Sequence, residues 1–282
     1  MDGCNPEIRP MGHDEEHLVC YSQLLTGVFR KPKKFTVEYL RWLYVENPHG
    51  RAVGFDAWHG QTLAAHYTCV PVKARFFGEV VPALLSLNTA TAPQFRGRGL
   101  FPQLAKLTYA RGRELGAWFV LGVGNRQSTK GLVSRLGFVP LGPLIAAVGL
   151  GNQPRLAEPL DLQLFWDEQS LAWRQRNPSN PVWCRARKSG TYAFFARTHI
   201  PYIFAYCELP ISWQPIQRKA LAPPLRVFLG LVPCGRVLRF GVSIPLFLRP
   251  SPLNLTFLPL REGMTAPARN KVFWTFLDFD AF

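Results

Sequence analysis

The chain is short of negative charge: 18 Asp and Glu stand against 33 Lys and Arg over 282 residues, a formal net charge of +15. It also lacks any uninterrupted apolar run of 18 residues, so no membrane-spanning helix is expected. Its most apolar stretch, Leu225–Leu260, is broken by Arg226, Arg236, Arg239 and Arg249 and by several prolines. The opening MDGCNPEIRPMGHDEEH is polar and acidic where a signal peptide needs an apolar core, so the expected location is the cytoplasm. The six cysteines, Cys4, Cys20, Cys69, Cys184, Cys207 and Cys234, form no C-x-x-C pair and have no His at ligand spacing. No metal is expected, and free thiols are.

Two familiar phosphate loops are missing as well. G-x-x-x-x-G-K-[ST] does not occur, and Pro102 stands where a G-x-G-x-x-G fingerprint beginning at Gly97 needs its third glycine.

What is present is 48% hydrophobic residues, enough for a globular chain of one large or two modest domains at ~150 residues each. Residues 1–150 hold 17 basic and 10 acidic side chains, residues 151–282 hold 16 and 8. The RKPKK at Arg30–Lys34 is a short basic run, but the excess is otherwise evenly spread. Such spreading fits a protein that handles anionic small molecules or an acidic carrier protein better than one with a nucleic-acid-binding arm.

Periodicity predicts an amphipathic stretch around His17–Phe29 and a helix at Thr36–Val45, stopped by Asn47-Pro48-His49-Gly50. An antiparallel meander follows at Ala52–Trp58, Thr62–Val70 and Val72–Phe77. Ala83–Ala92 alternates as a strand, Pro93 ends it, and a helix runs from Leu100 to Leu115 with Leu100, Leu104, Leu107 and Leu115 as its expected core stripe. Trp118–Val123 reads as a buried strand, Ser128–Leu136 as a short helix ended by Gly137, and Leu144–Glu158 as a linker.

Between the strand at Ala83–Ala92 and the helix at Leu100 lies Gln94-Phe95-Arg96-Gly97-Arg98-Gly99. A strand, a glycine turn and a helix N-terminus make an anion site, because main-chain N–H groups point outward and the helix dipole adds positive charge. Arg96 and Arg98 add full charges, and a pyrophosphate is the natural guest.

This spacing resembles the [QR]-x-x-G-x-[GA] motif of the GNAT N-acyltransferases, matched at every fixed position by Gln94, Gly97 and Gly99. Asn125-x-x-Ser128 followed by Leu136-Gly137-Phe138 resembles the family's second motif. The resemblance covers about residues 35–142. It implies a mixed α/β fold with a central, mostly antiparallel twisted sheet and a splayed strand pair. An acyl-CoA thioester would lie between Ala83–Ala92 and Trp118–Val123. Its pyrophosphate would sit on the amides of Arg96, Gly97, Arg98, Gly99, Leu100 and Phe101, and Gln94 is expected among the cofactor-binding residues. Its pantetheine would run beside Asn88, Thr89, Ala90 and Thr91, with Asn125 and Ser128 at the mouth. An N–H near Thr91 would polarise the thioester carbonyl.

The candidate catalytic residues are His66, Asn88 and Thr91. In the family a Tyr often protonates the departing thiolate, and here Val133 stands at its position; the strand Glu often used as base is absent too. Glu46, Asp278 and Asp280 are further carboxylates to consider, and a water is an alternative proton acceptor.

The second half carries a weak echo of the first. Tyr39-Leu40-Arg41-Trp42 with Asn47-Pro48 is followed by Ser170-Leu171-Ala172-Trp173 with Asn177-Pro178, and strand patterns follow each. A division into 1–150, a GNAT-like acyl-CoA-binding domain, and 151–282, a degenerate second unit that walls the acceptor site, is expected. The reading is an N-acyltransferase that moves an acyl group from acyl-CoA to a small anionic amine, a nucleotide-linked amino sugar of surface polysaccharide synthesis being favoured. Alternatives are an N-acyl amino acid synthase drawing on an acyl carrier protein, or a non-catalytic acyl-CoA-binding module.

Overall fold

A computed structural model describes residues 5–31, 33–153, 159–188, 190–216, 224–233, 237–249 and 251–280. Cys4 and Cys234 lie outside them, as do residues 154–158 of the expected linker.

The chain begins with β1 (Glu7–Pro10), α1 (Glu15–Phe29) and α2 (Val37–Tyr44). Both helices start where the local chemistry says they should: Asp14 accepts from the His17 N–H and Thr36 from the Tyr39 N–H. There follow β2 (Val53–His59), β3 (Thr62–Phe76), β4 (Glu79–Thr91), α3 (Leu100–Glu114), β5 (Phe119–Gly124), α4 (Arg126–Leu136), β6 (Val139–Pro143) and β7 (Ile145–Leu150). The second half contributes β8 (Leu162–Leu164), α5 (Glu168–Gln175), β9 (Trp183–Ala186), β10 (Tyr192–Arg197), β11 (Phe204–Leu209), β12 (Arg226–Gly230), β13 (Phe240–Ser243) and β14 (Asn254–Pro259).

Two sheets result, in the orders β1-β2-β3-β4-β5-β14-β6 (with β8 on β3) and β13-β7-β12-β11-β10-β9. The halves repeat one plan. An antiparallel meander, β2-β3-β4 or β9-β10-β11, is joined by a parallel neighbour, β5 or β12. Each half then gives its last strand to the other: β14 sits between β5 and β6, and β7 sits between β12 and β13. This is a tandem pair of like units with reciprocally exchanged strands. Phe76, Phe119 and Phe257 form a ring cluster across β3, β5 and β14, with centroids 4.9–5.8 Å apart. Such aromatic pairs add ~0.5–1.5 kcal/mol each beyond their buried area. The exchanged strand is therefore part of the first unit's core. Among the described residues the second unit has no counterpart of α3 or α4.

Three expectations need correcting. Ile145–Leu150, inside the expected linker, is a strand of the second sheet. Its glycines serve packing: a Cβ on Gly149 would lie 2.1 Å from the Phe240 carbonyl oxygen of β13. The meander's second and third segments are one strand, β3, running through Pro71, and β4 already begins at Glu79. In α3 the buried row is Leu100, Leu104, Thr108 and Gly112 with Ala105 and Tyr109, whereas Leu107 and Leu115 are exposed. The four-residue spacing holds the row on one face, and Gly112 is pressed against Leu84 of β4, where a Cβ would lie 2.4 Å from Cδ1.

Candidate functional site

β4 and β5 hydrogen-bond in parallel only from Leu84↔Val120 to Ser86↔Gly122. β3 holds one strand and β14 the other, and beyond Ser86 the two part. At the same point β4 bulges. His66 pairs with Ala90 and Thr68 with Leu87, so β4 spends one more residue than β3 between those pairs. Asn88 takes the strain there, at φ +51°, in the left-handed region that a non-glycine residue seldom occupies.

The parted strands wall a cavity of about 850 Å³. Asn88, Thr89 and Thr91 of β4 line it, with Phe101 at the start of α3 and Asn125 and Ser128 at the start of α4. Asn125 caps α4, its Oδ1 accepting from the Ser128 N–H at 2.9 Å and from the Ser128 hydroxyl at 3.1 Å. Four cations, Lys31, Lys34, Lys130 and Arg135, and one carboxylate, Asp280, also line the cavity. Its lining therefore carries a net positive charge.

Gln94, Arg96, Gly97 and Arg98 lie on an exposed turn outside the cavity lining, leading to Gly99 at the α3 N-cap. Gly97 and Gly99 have φ of +81° and +73°, and a Cβ on Gly97 would meet nothing within 4 Å. Gly99 offers α3 no side-chain cap, and no described hydrogen bond takes up the N–H groups of residues 97–101. The cradle is bare backbone, as a phosphate requires. Arg96 Nε donates to the Thr91 carbonyl oxygen at 3.3 Å, and the Arg98 guanidinium stands over the Phe95 ring. Leu100 and Ala90 are buried in the core and do not line the cavity.

His66 is fully buried and does not reach the cavity either. It belongs to a line of hydrogen bonds that does. Asn88 Nδ2 donates to the Tyr44 hydroxyl at 3.0 Å, Tyr44 lies 3.3 Å from His66 Nε2, and His66 Nδ1 lies 2.6 Å from Asp56 Oδ1. The Tyr21 hydroxyl donates to Asp56 Oδ2 at 2.6 Å, and its ring stacks on His66 with centroids 4.2 Å apart. The hydrogen bonds thus link Asn88 through Tyr44 and His66 to Asp56. Burial holds the phenols of Tyr21 and Tyr44 well above the ordinary tyrosine range, so both stay protonated.

Asp280, which also lines the cavity, accepts from the Tyr39 hydroxyl at 2.7 Å and pairs with Lys34 at 3.2 Å and Arg174 at 3.7 Å. Burial pushes its carboxyl up, but the charges of Lys34 and Arg174 and the hydrogen bonds from Tyr39 and Lys34 outweigh this, and the net is below the usual range. Asp278, two residues earlier, goes the other way: burial dominates and raises it to about 6. Val133 is exposed on α4 and outside the cavity lining. The hydroxyls that do line it are those of Tyr39, Ser86, Thr89, Thr91, Ser128, Ser134 and Ser251.

Sequence reasoning missed Lys31, Lys130, Arg135 and the Tyr44–Asp56 line. Asp56 had a signal, since it sits directly across from His66 in the β2–β3 pair; Tyr44 had none.

Residues 7–140 match the family profile of the acetyltransferase (GNAT) domain. No curated protein sequence matches the chain. Among solved structures it is similar to a GCN5-related N-acetyltransferase from Anabaena variabilis, with 12% identity and a TM-score of 0.58 over 90% of this chain and 73% of that one. It is similar to Saccharomyces cerevisiae N-myristoyltransferase with bound myristoyl-CoA, at 12% identity and a TM-score of 0.55 over 92% and 83% of the two chains. A protein of Enterococcus faecalis described as a probable N-acyltransferase matches at 13% identity and a TM-score of 0.53, over 91% and 71%. At such identities the likeness shows the fold, and it extends over both units.

Proposed function

We propose that the cavity between β4 and β5 binds an acyl-CoA thioester and passes its acyl group to the amine of a small anionic acceptor, a reading that the match of residues 7–140 to the acetyltransferase (GNAT) domain supports. The parting of β4 and β5 after Ser86 and Gly122 carries the reading. It leaves an unpaired strand edge inside a cavity, which a pantetheine arm can join through its two amides as an added strand. The match to a fold that holds myristoyl-CoA in another protein supports the same guest.

The pyrophosphate rests on the free N–H groups of residues 97–101, with Arg96 and Arg98 beside it. Lys130 and Arg135 of α4 line the cavity and add positive charge to it. The thioester carbonyl then lies at the bulge, where main-chain N–H groups released from the ladder stabilise the oxyanion. Asn88 is held from behind by Tyr44, which takes one of its amide N–H groups, and its Oδ1 is the atom offered to an incoming N–H. The acceptor enters from the end where Lys31 and Lys34 attract its negative charge. After a proton leaves the acceptor ammonium to water, the amine nitrogen bonds to the acyl carbon, the C–S bond breaks, and the nitrogen gives a second proton to water as the amide forms. The thiolate of CoA takes a proton from solvent, since no tyrosine stands at the Val133 position. Asp280 is held ionised, which makes it an anchor for an ammonium group rather than a base.

A nucleotide-linked amino sugar is the acceptor class favoured, because its diphosphate suits Lys31 and Lys34. Release of free CoA thiol from acetyl-CoA and longer acyl-CoAs, over a panel of nucleotide amino sugars and amino acids, tests the reading. CoA binding without thiol release over the whole panel would reduce the protein to a binding module.

A further inference from the structure

The second sheet ends on an edge that the described chain leaves uncovered. β13 is its terminal strand, and all four of its residues are exposed. Phe240 and Val242 share one face and are 66% and 77% exposed. In the 3-10 turn that follows, Phe247 is 84% and Leu248 63% exposed. Leu246 beside them and Leu150, opposite Phe240 on β7, are exposed as well. An open apolar edge of this kind is an aggregation hazard unless something covers it.

The charge around it says what. The chain as a whole carries a formal net charge of +15. The Arg239 guanidinium lies over the Phe240 ring at 5.3 Å, putting a cation directly beside the apolar tip. Large apolar side chains beside a cation, on a chain of net positive charge, complement a surface that is negative at its face and hydrocarbon beneath. We propose that the β13 edge and the turn after it dock this protein on an anionic lipid bilayer, lying on the membrane without crossing it.

A second copy of the chain fits less well. Pairing along β13 would bring the Arg239 of one copy toward that of the other, on two chains that each carry +15. A folded acidic partner would need a groove shaped to four side chains that stand mostly free, whereas fluid lipid takes them in any arrangement. The strip is also continuous with the site: Ser251 and Leu253, which follow Leu248 closely, line the cavity. Docking would therefore bring that wall close to the layer in which long acyl chains dissolve. The docking surface does not depend on the acyl-transfer reading.

The test is sedimentation of the full chain with phosphatidylcholine vesicles, with and without phosphatidylglycerol. The native protein should bind the phosphatidylglycerol vesicles and not the others. Phe240→Ser with Phe247→Ser should weaken that binding by about tenfold or more while leaving CoA binding and thermal midpoint unchanged. Val242→Ser with Leu248→Ser is a second pair, in case the first disturbs the fold. Three results overturn the proposal: no binding of the native protein to anionic vesicles; equal binding by native and substituted proteins, which would mean bulk charge alone; or a dimer in light scattering, or a complex with an acyl carrier protein, that the substitutions dissolve while vesicle binding is absent.

Discussion

Trp42 and Trp173 hold each other reciprocally: each indole Nε1 donates to the other's main-chain carbonyl oxygen at 3.0 Å, and the rings stack with centroids 4.4 Å apart, 13° from parallel. Such a relationship is what a local two-fold axis between α2 and α5 produces. The turns after the two helices agree, since Asn47 Oδ1 accepts from the His49 N–H and Asn177 Oδ1 from the Ser179 N–H. A shared helix, turn and strand plan, with a symmetric contact where the copies meet, is the mark of a duplicated unit.

Because β7 and β14 are exchanged, neither unit has a complete sheet without the other. Denaturant unfolding should therefore show one transition, followed alike by tryptophan fluorescence and far-ultraviolet circular dichroism. Trp173→Ala should move that single transition by ~3–5 kcal/mol, the range for deleting a packed tryptophan. Two separable transitions in the native protein would mean that the exchanged strands do not couple the units.

The glycine turn is the most direct check on the thioester site. Gly97→Val puts a branched side chain at φ +81° on an exposed turn, at a cost to stability of ~1–2 kcal/mol. The same side chain would stand among the N–H groups that a diphosphate needs. Calorimetry should find CoA affinity reduced by more than about tenfold, well beyond what the stability change explains.

These features differ in how far they could be seen in the sequence. The Gln94–Gly99 turn and the Asn125–Ser128 cap are legible because both are local: a left-handed backbone needs glycine, and a helix start needs a side-chain acceptor within three residues. The exchange of β7 was hidden, because Gly149 and Gly151 look like a linker until Arg239 and the start of β13 at Phe240 are packed against them. The basic run at Arg30–Lys34 was visible as charge only. Its meaning depends on Asp280, which meets Lys34 from 246 residues away. No periodicity carries information over that distance; only the closed fold does.

The line from Asn88 to Asp56 predicts a separation of stability from chemistry. Tyr44→Phe keeps the ring but strips Asn88 Nδ2 and His66 Nε2 of their shared partner. Leaving such groups unpaired costs ~1–3 kcal/mol. If Asn88 presents its oxygen to the reacting amine, kcat with acetyl-CoA should fall by about tenfold or more while the KM for acetyl-CoA stays near the native value. A loss of stability with unchanged kcat would confine the line to a structural part.

Asp278 and Asp280 lie in one segment yet bend the pH dependence of stability in opposite directions. Asp280 is depressed below its ordinary 3.8, so its contribution is present above that pH and is lost as pH falls through the lower folded value. Asp278 is raised by burial from 3.8 to about 6, although Thr275 and Trp166 donate to it. The folded protein then holds this proton more tightly than the unfolded chain does. Its contribution is full below pH 3.8 and is lost as pH rises through about 6, a difference on the order of 3 kcal/mol. Asp278→Asn, which cannot ionise, should remove that fall. The gap in unfolding free energy between the native protein and Asp278→Asn should therefore shift against the native protein between pH 4 and pH 6. A gap that stays constant over this range would mean that Asp278 is already ionised in the folded protein at pH 4.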